Sequence, residues 1–293
     1  MYDITNILEP KTINEALEML SNNPRLKIIA GGTDVLIKLH HGAMEAVELL
    51  SIRKIKGLDE IALMEDGTIS IGAMANFSEI FRNDTVNQYI PVLAEAAVSM
   101  GSPQIRNMAT IGGNVCNGAV SADSAPALFA LNAILKLEST TGARMVPIEQ
   151  FYSGPGKVKI ESGEILTNFL INKEEYEETT GNYIKFSNRK ALDISMLGVA
   201  VVCNSNWQRF NDLRIAIGVA GPTPIRCKEA EAYARGKDIT EKTIEEIGLY
   251  AVKSSHARDS WRGSKSYREH LIEVLTQRAI KEAVKRAGGS KNE

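Results

Sequence analysis

The sequence predicts an α+β protein built in two parts. Strand-like and helix-like segments follow one another irregularly before residue 172, and this disfavours the regular alternation of a doubly wound parallel sheet. The acidic, polar segment NKEEYEETTGN at 172–182 is poor in core residues and is the best candidate for a boundary. After it, two long apolar segments precede helical patterns, which indicates an antiparallel sheet with helices behind it.

The first part opens with a helix and two short strands. Thr12 and Glu15 have the spacing of a capping box, and apolar residues on one helical face follow them until 22–24, where Asn-Asn-Pro ends the helix. Segments 26–30 and 47–52 are short apolar runs typical of buried strands.

Two hairpins and one more strand complete the first part. Residues 60–73 predict a hairpin that turns at an Asp-Gly pair, and residues 133–148 predict a second around Thr-Gly. Between them, 78–100 has helical periodicity, interrupted by an aspartate and a proline. Residues 164–171 predict the remaining strand.

The second part is predicted as a sheet backed by helices. Residues 195–221 contain two long antiparallel strands joined near 204–206, and helices follow over 243–252, after Thr240, and 267–287. The last helix carries a core-facing apolar stripe formed by Leu271, Ile272, Val274, Leu275, Ala279, Ile280 and Val284.

Composition excludes several classes of function. The formal net charge of −2 gives no reason to expect nucleic acid or an anionic membrane as a partner. Cys116, Cys203 and Cys227 are isolated, which disfavours a zinc or iron–sulfur site and fits a reducing compartment. The N-terminus has no signal-peptide pattern, and apolar runs fall far short of the ~20 residues of a membrane span. A cytoplasmic protein is therefore expected.

Two glycine-rich stretches, IIAGGTDVL at 28–36 and TIGGNVCNG at 110–118, are candidate ligand sites. Glycine allows left-handed backbone and close approach to a ligand, and successive N–H groups can then bind an anion. A plain tight turn is the alternative for each stretch taken alone. Neither stretch has the G-x-G-x-x-G of a Rossmann fold or the G-x-x-x-x-G-K-[ST] of a P-loop.

The occurrence of two such stretches in one domain favours an extended ligand with a diphosphate. Asn114 and Asn117 can bind hydroxyls and amides, and the carboxylate of Asp123 can accept from sugar hydroxyls. FAD is one ligand that would use all of these groups.

The same stretches resemble the FAD-binding subunit of the molybdenum hydroxylases, the xanthine dehydrogenase family. The resemblance is carried by IIAGGTDVLIKL and, more specifically, by GSPQIRNMATIGGNVCNGAVSADSAPAL, and it covers nearly the whole chain. The motifs GPGKV, EIL, ALDIS and GPTPIRC are similar to the bacterial purine-hydroxylase branch. The length matches a stand-alone FAD subunit.

The resemblance implies a particular fold. Residues 1–177 would form an FAD-binding domain of the vanillyl-alcohol-oxidase (PCMH) type, with subdomains of about 1–57 and 58–177. Residues 178–293 would form the antiparallel sheet-and-helices domain of CO dehydrogenase flavoproteins.

It also implies the residues that hold FAD. Asp123 would bind ribityl or ribose hydroxyls; Ile165 and Lys185 would lie near the flavin ring, although from the residues alone they are a strand core residue and a solvated lysine. Some relatives have an aromatic residue where this chain has Ile111, so the covering of the flavin face is left open. The complete implied set is Ile28, Ile29, Ala30, Gly31, Gly32, Thr33, Asp34, Val35, Thr110, Ile111, Gly112, Gly113, Asn114, Asp123, Ile165 and Lys185.

The implied activity is electron transfer, with no catalytic acid or base in this chain. A purine-like heterocycle would be hydroxylated at a molybdopterin centre in a large partner subunit, and electrons would pass through [2Fe–2S] clusters of a small partner to FAD here, then to NAD⁺ or another acceptor. An independent flavin oxidoreductase of the same fold is the alternative. The chain lacks the cysteine-rich insertion that holds a [4Fe–4S] cluster in some relatives, so no cluster and no metal are expected.

Three other features have simpler interpretations. Cys116 is expected to be a packing residue, because nothing near it in sequence would lower the pKa of its thiol. The adjacent His40 and His41 point in different directions on any regular element and make a poor chelate. The basic, aromatic segment 258–268 is expected to be a solvated surface or a contact with another subunit.

Overall fold

A three-stranded parallel sheet forms the beginning of the chain. The computed structural model describes residues 2–288. In chain order the first elements are β1 (Ile4–Leu8), α1 (Ile13–Asn22), β2 (Lys27–Ile29), α2 (Val35–His40) and β3 (Val47–Ser51). The central strand, β3, pairs in parallel with β1 and β2, and the side chains of Leu49 and Leu50 are buried on its opposite faces. Residues 30–34 therefore leave the sheet at the carboxyl end of β2.

A five-stranded antiparallel sheet covered by short helices follows. Its order is β4–β5–β10–β6–β7. The elements of this region are β4 (Ile61–Leu63), β5 (Ile69–Gly72), α3 (Phe77–Arg82), α4 (Asp84–Tyr89), α5 (Pro91–Val98), α6 (Pro103–Met108), α7 (Ile111–Cys116), α8 (Ser124–Ala130), β6 (Ile134–Ser139), β7 (Gly142–Pro147), α9 (Ile148–Phe151), β8 (Tyr152–Gly154), β9 (Lys157–Val158) and β10 (Ile165–Ile171). Phe77, Leu93 and Phe169 are fully buried and join the helices to the sheet in one core.

The rest of the chain is a four-stranded antiparallel sheet and three helices. The elements are β11 (Thr180–Phe186), β12 (Leu197–Ser205), β13 (Phe210–Gly218), β14 (Ile225–Arg226), α10 (Lys228–Ala234), α11 (Glu241–Lys253) and α12 (Lys265–Gly288). The strands pair in chain order. The hydroxyl of Thr240 caps α11 by accepting the N–H of Thr243, which satisfies one free donor of its first turn.

β12 is buried on both faces. Ala200 and Val202 pack into the core that the five-stranded sheet shares with its helices, whereas Val199, Val201 and Cys203 belong to a second core that includes residues of α10, α11 and α12. Side chains alternate between the two faces of a strand, so the apolar run in β12 serves two cores at once.

Most strands follow the sequence prediction, and several helices do not. The two hairpins, the long β12–β13 pair, α1, α11 and α12 are confirmed. The sequence analysis did not predict β1, α2 or the short helices α6 to α10. These helices have four to seven residues, too few to show a clear periodicity, and their stability comes from packing.

Candidate cofactor-binding site

A cavity of about 590 Å³ lies where the parallel sheet meets α7 and β10. Most of its wall comes from three separate stretches of chain: 26–38, which includes β2 and the loop after it, 109–117 around α7, and 160–166 before and at the start of β10. Most of the residues implied by the family resemblance line it, namely Ile28, Ala30, Gly31, Gly32, Thr33, Asp34, Val35, Thr110, Gly112, Gly113, Asn114 and Ile165. Such a volume is within the range of ordinary ligand sites.

The first glycine stretch packs its backbone directly against the second. A Cβ on Gly31 would lie 1.7 Å from the carbonyl oxygen of Met108, a distance that no side chain can tolerate. Gly32 has a φ of +77°, the left-handed region that favours glycine. Both glycines are therefore required by the shape of this loop, which brings residues 30–34 beside the residues that precede α7.

Residues 31–34 present unpaired backbone donors. None of the N–H groups of Gly31, Gly32, Thr33 and Asp34 has a hydrogen-bond acceptor among residues 2–288. Backbone N–H groups in folded proteins are nearly always paired with protein, water or ligand. Four successive free donors beside a cavity form the kind of concave site that binds phosphate oxygens.

The second stretch is not an anion-binding nest, which corrects the sequence interpretation. Residues 111–116 form helix α7, and its first N–H groups are already used. Ile111 donates to Ala75 O at 3.0 Å, Gly112 to Ala73 O at 2.8 Å and Gly113 to Thr110 Oγ1 at 3.1 Å. Gly112 and Gly113 therefore form part of the cavity wall without free backbone N–H groups.

Gly113 gives the cavity room. A Cβ at this position would meet only Thr110 Oγ1 at 3.0 Å and the Ala30 side chain at 3.9 Å, so it would enter the space between the two glycine stretches. Gly112 differs, because a Cβ there would strike Ala73 in the neighbouring backbone. One glycine of the pair thus serves packing and the other leaves space for a ligand.

Two asparagines of α7 and its C-cap connect the walls. Asn114 Oδ1 accepts from the hydroxyl of Ser124 at 2.7 Å, which leaves its amide N–H donors available. Asn117 Oδ1 accepts from Lys38 Nζ at 2.7 Å and so links α2 to the segment after α7. No sequence pattern points to Lys38, which lines the cavity and carries a positive charge.

The third wall is held by a bidentate ion pair. Glu164 is buried, and its carboxylate accepts from Arg144 Nε at 2.6 Å, Arg144 Nη2 at 2.8 Å and the N–H of Glu161 at 2.7 Å. The hydrogen bonds from Arg144 hold the pKa of Glu164 below its ordinary value. The pair fixes residues 161–164 and places Ile165, the next residue, against the cavity. Sequence reasoning identified Ile165 and missed this support.

Asp123 and Lys185 lie together in a buried network and do not line the cavity. Asp123 Oδ2 is 2.8 Å from Lys185 Nζ, and Asp123 Oδ1 accepts from Ser195 Oγ at 2.5 Å. Burial raises the pKa of Asp123, and the Lys185 ammonium opposes that shift. Lys185 also donates to Ser99 O at 3.2 Å, next to Met100, which does line the cavity. The expectation of a solvated lysine is therefore wrong.

Two other residues of the implied set do not line the cavity. Ile111 is fully buried in the core, and Ile29 packs against a small apolar cluster beneath the parallel sheet. Ile111 thus does not decide how a ligand in the cavity is covered. Among the described lining residues, Met100 and Ile165 supply apolar surface in addition to the glycine stretches.

Cys116 lines the cavity without reactive character. Burial raises the pKa of its thiol to about 12, so the protonated form dominates at neutral pH. Within residues 2–288, no three His, Cys, Asp or Glu side chains converge on a point where they could hold a metal ion.

The donor set fits a long ligand with a diphosphate at its centre. The four free N–H groups suit phosphate oxygens, Lys38 adds a positive charge to the cavity wall, and the space beside Gly113 would be filled by any Cβ. Apolar surface from Ile28, Ile165 and Met100 suits flat ring systems.

The comparison with protein families agrees with this site. Residues 3–172 match the family model described as the FAD binding domain in molybdopterin dehydrogenase, and residues 182–283 match the CO dehydrogenase flavoprotein C-terminal domain. The chain belongs to the FAD-binding subunits of the molybdenum hydroxylase family, and its cofactor is FAD.

Individual relatives match nearly the whole chain. The chain is 41% identical to a xanthine dehydrogenase FAD-binding subunit of Escherichia coli over 289 residues, which is 99% of each chain. It is 28% identical to the glyceraldehyde dehydrogenase medium chain of Sulfolobus acidocaldarius, over 93% of this chain and 95% of that relative.

Solved structures confirm the fold. The carbon monoxide dehydrogenase of Hydrogenophaga pseudoflava includes a chain with a TM-score of 0.92 at 27% identity, matching 98% of this chain and 99% of that one. Quinoline 2-oxidoreductase of Pseudomonas putida gives a TM-score of 0.92 at 25% identity with the same coverage. The predicted α+β architecture is thus confirmed. No helix within residues 2–288 combines the length and apolar character of a membrane span.

Proposed function

We propose that this chain is the FAD-carrying electron-transfer subunit of a xanthine dehydrogenase-type complex. The identity of 41% to a xanthine dehydrogenase FAD-binding subunit, over 99% of both chains, supports this branch. The partners would be a [2Fe–2S] small subunit and a large subunit carrying molybdopterin. Bound FAD supplies reversible two-electron chemistry, and the chain binds it, orients it and limits access to it.

The observation that carries the proposal is the row of free N–H groups at residues 31–34 beside the cavity. We assign these donors to the diphosphate of FAD. Thr110 and Asn114 would bind polar groups of the cofactor, and Gly113 leaves the space that it needs.

The rest of the implied set takes supporting roles in this proposal. Ile28 and Ile165 supply apolar wall, whereas Ile29 and Ile111 anchor the two glycine stretches in the core. Asp123 and Lys185 would act at the end of the cavity near Met100, since Lys185 donates to the carbonyl of Ser99.

The substrate would be chosen by the large partner. Relatives that cover almost the whole chain include medium subunits named for glyceraldehyde, nicotine and carbon monoxide. One FAD-subunit fold therefore accompanies several substrates. A purine-like heterocycle as substrate and NAD⁺ as acceptor rest on the closer similarity to the xanthine dehydrogenase subunit.

The test is to purify the chain alone and together with its partner subunits. The expected isolated chain is yellow, releases FAD on denaturation and does not oxidise small organic substrates. The expected complex contains molybdenum and iron and reduces NAD⁺ when xanthine is added. Turnover of a small organic substrate by the isolated chain would support the independent flavin oxidoreductase, and a colourless chain that cannot be reconstituted would contradict FAD binding.

A further inference from the structure

The loop between α11 and α12, together with the first turn of α12, carries an exposed aromatic and arginine surface that the cofactor site does not use. We call it the Trp261 patch, formed by Arg258, Trp261, Arg262 and Tyr267. Trp261 is 81% exposed, and the Arg262 guanidinium lies 4.2 Å from the centre of its ring. Tryptophan, tyrosine and arginine are the residues most enriched at the energetic centres of protein interfaces.

The arginines in and beneath this patch have no ion-pair partners within residues 2–288. Arg258, Arg262 and Arg268 form no ion pair with a described carboxylate. The neighbouring carboxylates are engaged elsewhere: Asp259 Oδ1 accepts the N–H of Lys265, and Glu269 lies 3.7 Å from the ammonium of the same lysine.

Arg268 makes this imbalance costly. Arg268 is only 3% exposed. Its guanidinium donates to Met196 O at 2.6 Å and to Ser260 Oγ at 2.8 Å, and both acceptors are neutral. The Nε atoms of Arg262 and Arg268 are buried and have no acceptor among the described residues. Burial and the charges of Arg258 and Arg262 lower the pKa of Arg268, as expected for clustered guanidinium groups. A buried charge without a counter-ion is unfavourable, and an anionic surface placed over the patch would relieve it.

The patch is linked to the cavity by one segment. Arg268 binds the carbonyl of Met196, and the neighbouring Ser195 donates to Asp123, which pairs with Lys185. Lys185 in turn binds Ser99 O beside Met100 of the cavity wall. The patch and the wall of the cofactor site are therefore joined by one chain of hydrogen bonds and an ion pair.

We propose that the Trp261 patch docks a carboxylate-rich face of a partner subunit, with Trp261 as the apolar anchor and Arg258 and Arg262 as the charge contacts. This inference rests on the proposed function, because it presumes a complex.

The experiment measures assembly of the full chain with its molybdenum- and iron-carrying partner subunits. The patch variants are Trp261→Ala and the double charge reversal Arg258→Glu/Arg262→Glu. The matched controls are Trp207→Ala, at a tryptophan that is 59% exposed elsewhere, and Arg278→Glu, at an exposed arginine of α12. Flavin content and melting temperature report whether each variant is folded.

Both patch variants should raise the dissociation constant of the complex with the partner subunits about tenfold or more. The charge reversal should also make this constant less dependent on salt concentration. The controls should assemble normally, and FAD content should be unchanged in all four. Patch variants that assemble like the wild-type chain would overturn the inference while leaving the proposed function intact. Patch variants that still assemble and lose only binding to anionic vesicles or RNA would also overturn the inference. A wild-type chain that binds FAD but no metal-carrying partner would instead overturn the proposed function.

Discussion

Gly31 and Gly113 show how two glycines of similar sequence context can serve different needs. Gly31 lets one backbone touch another, because the carbonyl of Met108 occupies the place where its Cβ would lie. Gly113 lies in helix α7 with only side-chain neighbours, so its missing Cβ leaves space in the cavity. One substitution should therefore affect stability, and the other should affect the cofactor.

Gly31→Ala is expected to lower the free energy of unfolding of the cofactor-free chain by about 3 kcal/mol. This value is the upper end of the usual cost of overpacking. We expect the upper end because the new Cβ would strike a backbone atom, which cannot move aside as a flexible side chain can. Urea denaturation measures the change. The control Gly42→Ala adds a Cβ with no atom within 4 Å, and its strain at a φ of +67° should cost only about 1 kcal/mol. Equal costs at the two positions would contradict the steric argument.

Gly113→Leu should weaken FAD binding while the chain remains folded. A leucine in the cavity costs about 1–3 kcal/mol of cofactor binding, roughly fivefold to 150-fold in affinity, whereas replacing glycine inside a helix recovers about 1 kcal/mol of helix propensity. Fluorescence titration with FAD and a thermal melt separate the two effects. Ala232→Leu, at an exposed position of α10, is the control. Normal FAD binding by Gly113→Leu would exclude Gly113 from the cofactor site.

At the scale of elements, strands were more predictable than the helices that build the site. The hairpins 60–73 and 133–148 were visible because turn residues separate short apolar runs. The sequence predicts no helix at the position of α7, because two glycines disfavour a helix of six residues. Its N–H groups are paired with carbonyls of the segment after β5, so tertiary contacts stabilise it.

The Glu164–Arg144 pair fixes the start of β10 through β7 and should make stability depend on pH. The pKa of Glu164 is lowered in the folded chain, so its contribution is present above the ordinary value of 4.5 and is lost as pH falls below it. Glu164→Gln should cost about 1–3 kcal/mol at pH 7 and much less near pH 3. Denaturation at both pH values measures this. Glu161→Gln, at a side chain that is 78% exposed, should cost little at either. A constant cost for Glu164→Gln across pH would argue against the ion pair.

At the scale of the whole molecule, the two parts of the chain share a core. β12 contributes one face to the helices α5 and α8 and the other to α12, in a core that also includes α10 and α11. Polar links cross the same junction, among them Asp123–Lys185 and Arg226–Glu149. The division into 1–177 and 178–293 stays a prediction. Separating these two parts would expose the face of β12 that packs against the first part.

Substitutions at the buried Asp123–Lys185 pair should have strongly non-additive effects on the free energy of unfolding. Removing either partner leaves the other charge buried, so Asp123→Asn and Lys185→Met should each cost about 3–5 kcal/mol. The double variant should cost about 1–3 kcal/mol less than the sum of the two. A double-mutant cycle by chemical denaturation gives this coupling. The exposed pair Glu9–Lys54, treated in the same way, should give less than about 1 kcal/mol. Additive effects at Asp123 and Lys185 would contradict the network.

The sequence by itself determined the α+β class, most strands, the two glycine stretches and, through their resemblance to a family, the cofactor. Those features depend on local periodicity, on turn residues and on motifs that are contiguous in the chain. The tertiary structure decided which glycine donors are free, that Asp123 and Lys185 pair with each other, and that residues 160–166 complete the cavity. Each of these depends on contacts between residues far apart in sequence, and hydrogen-bond partners and burial exist only once those residues meet.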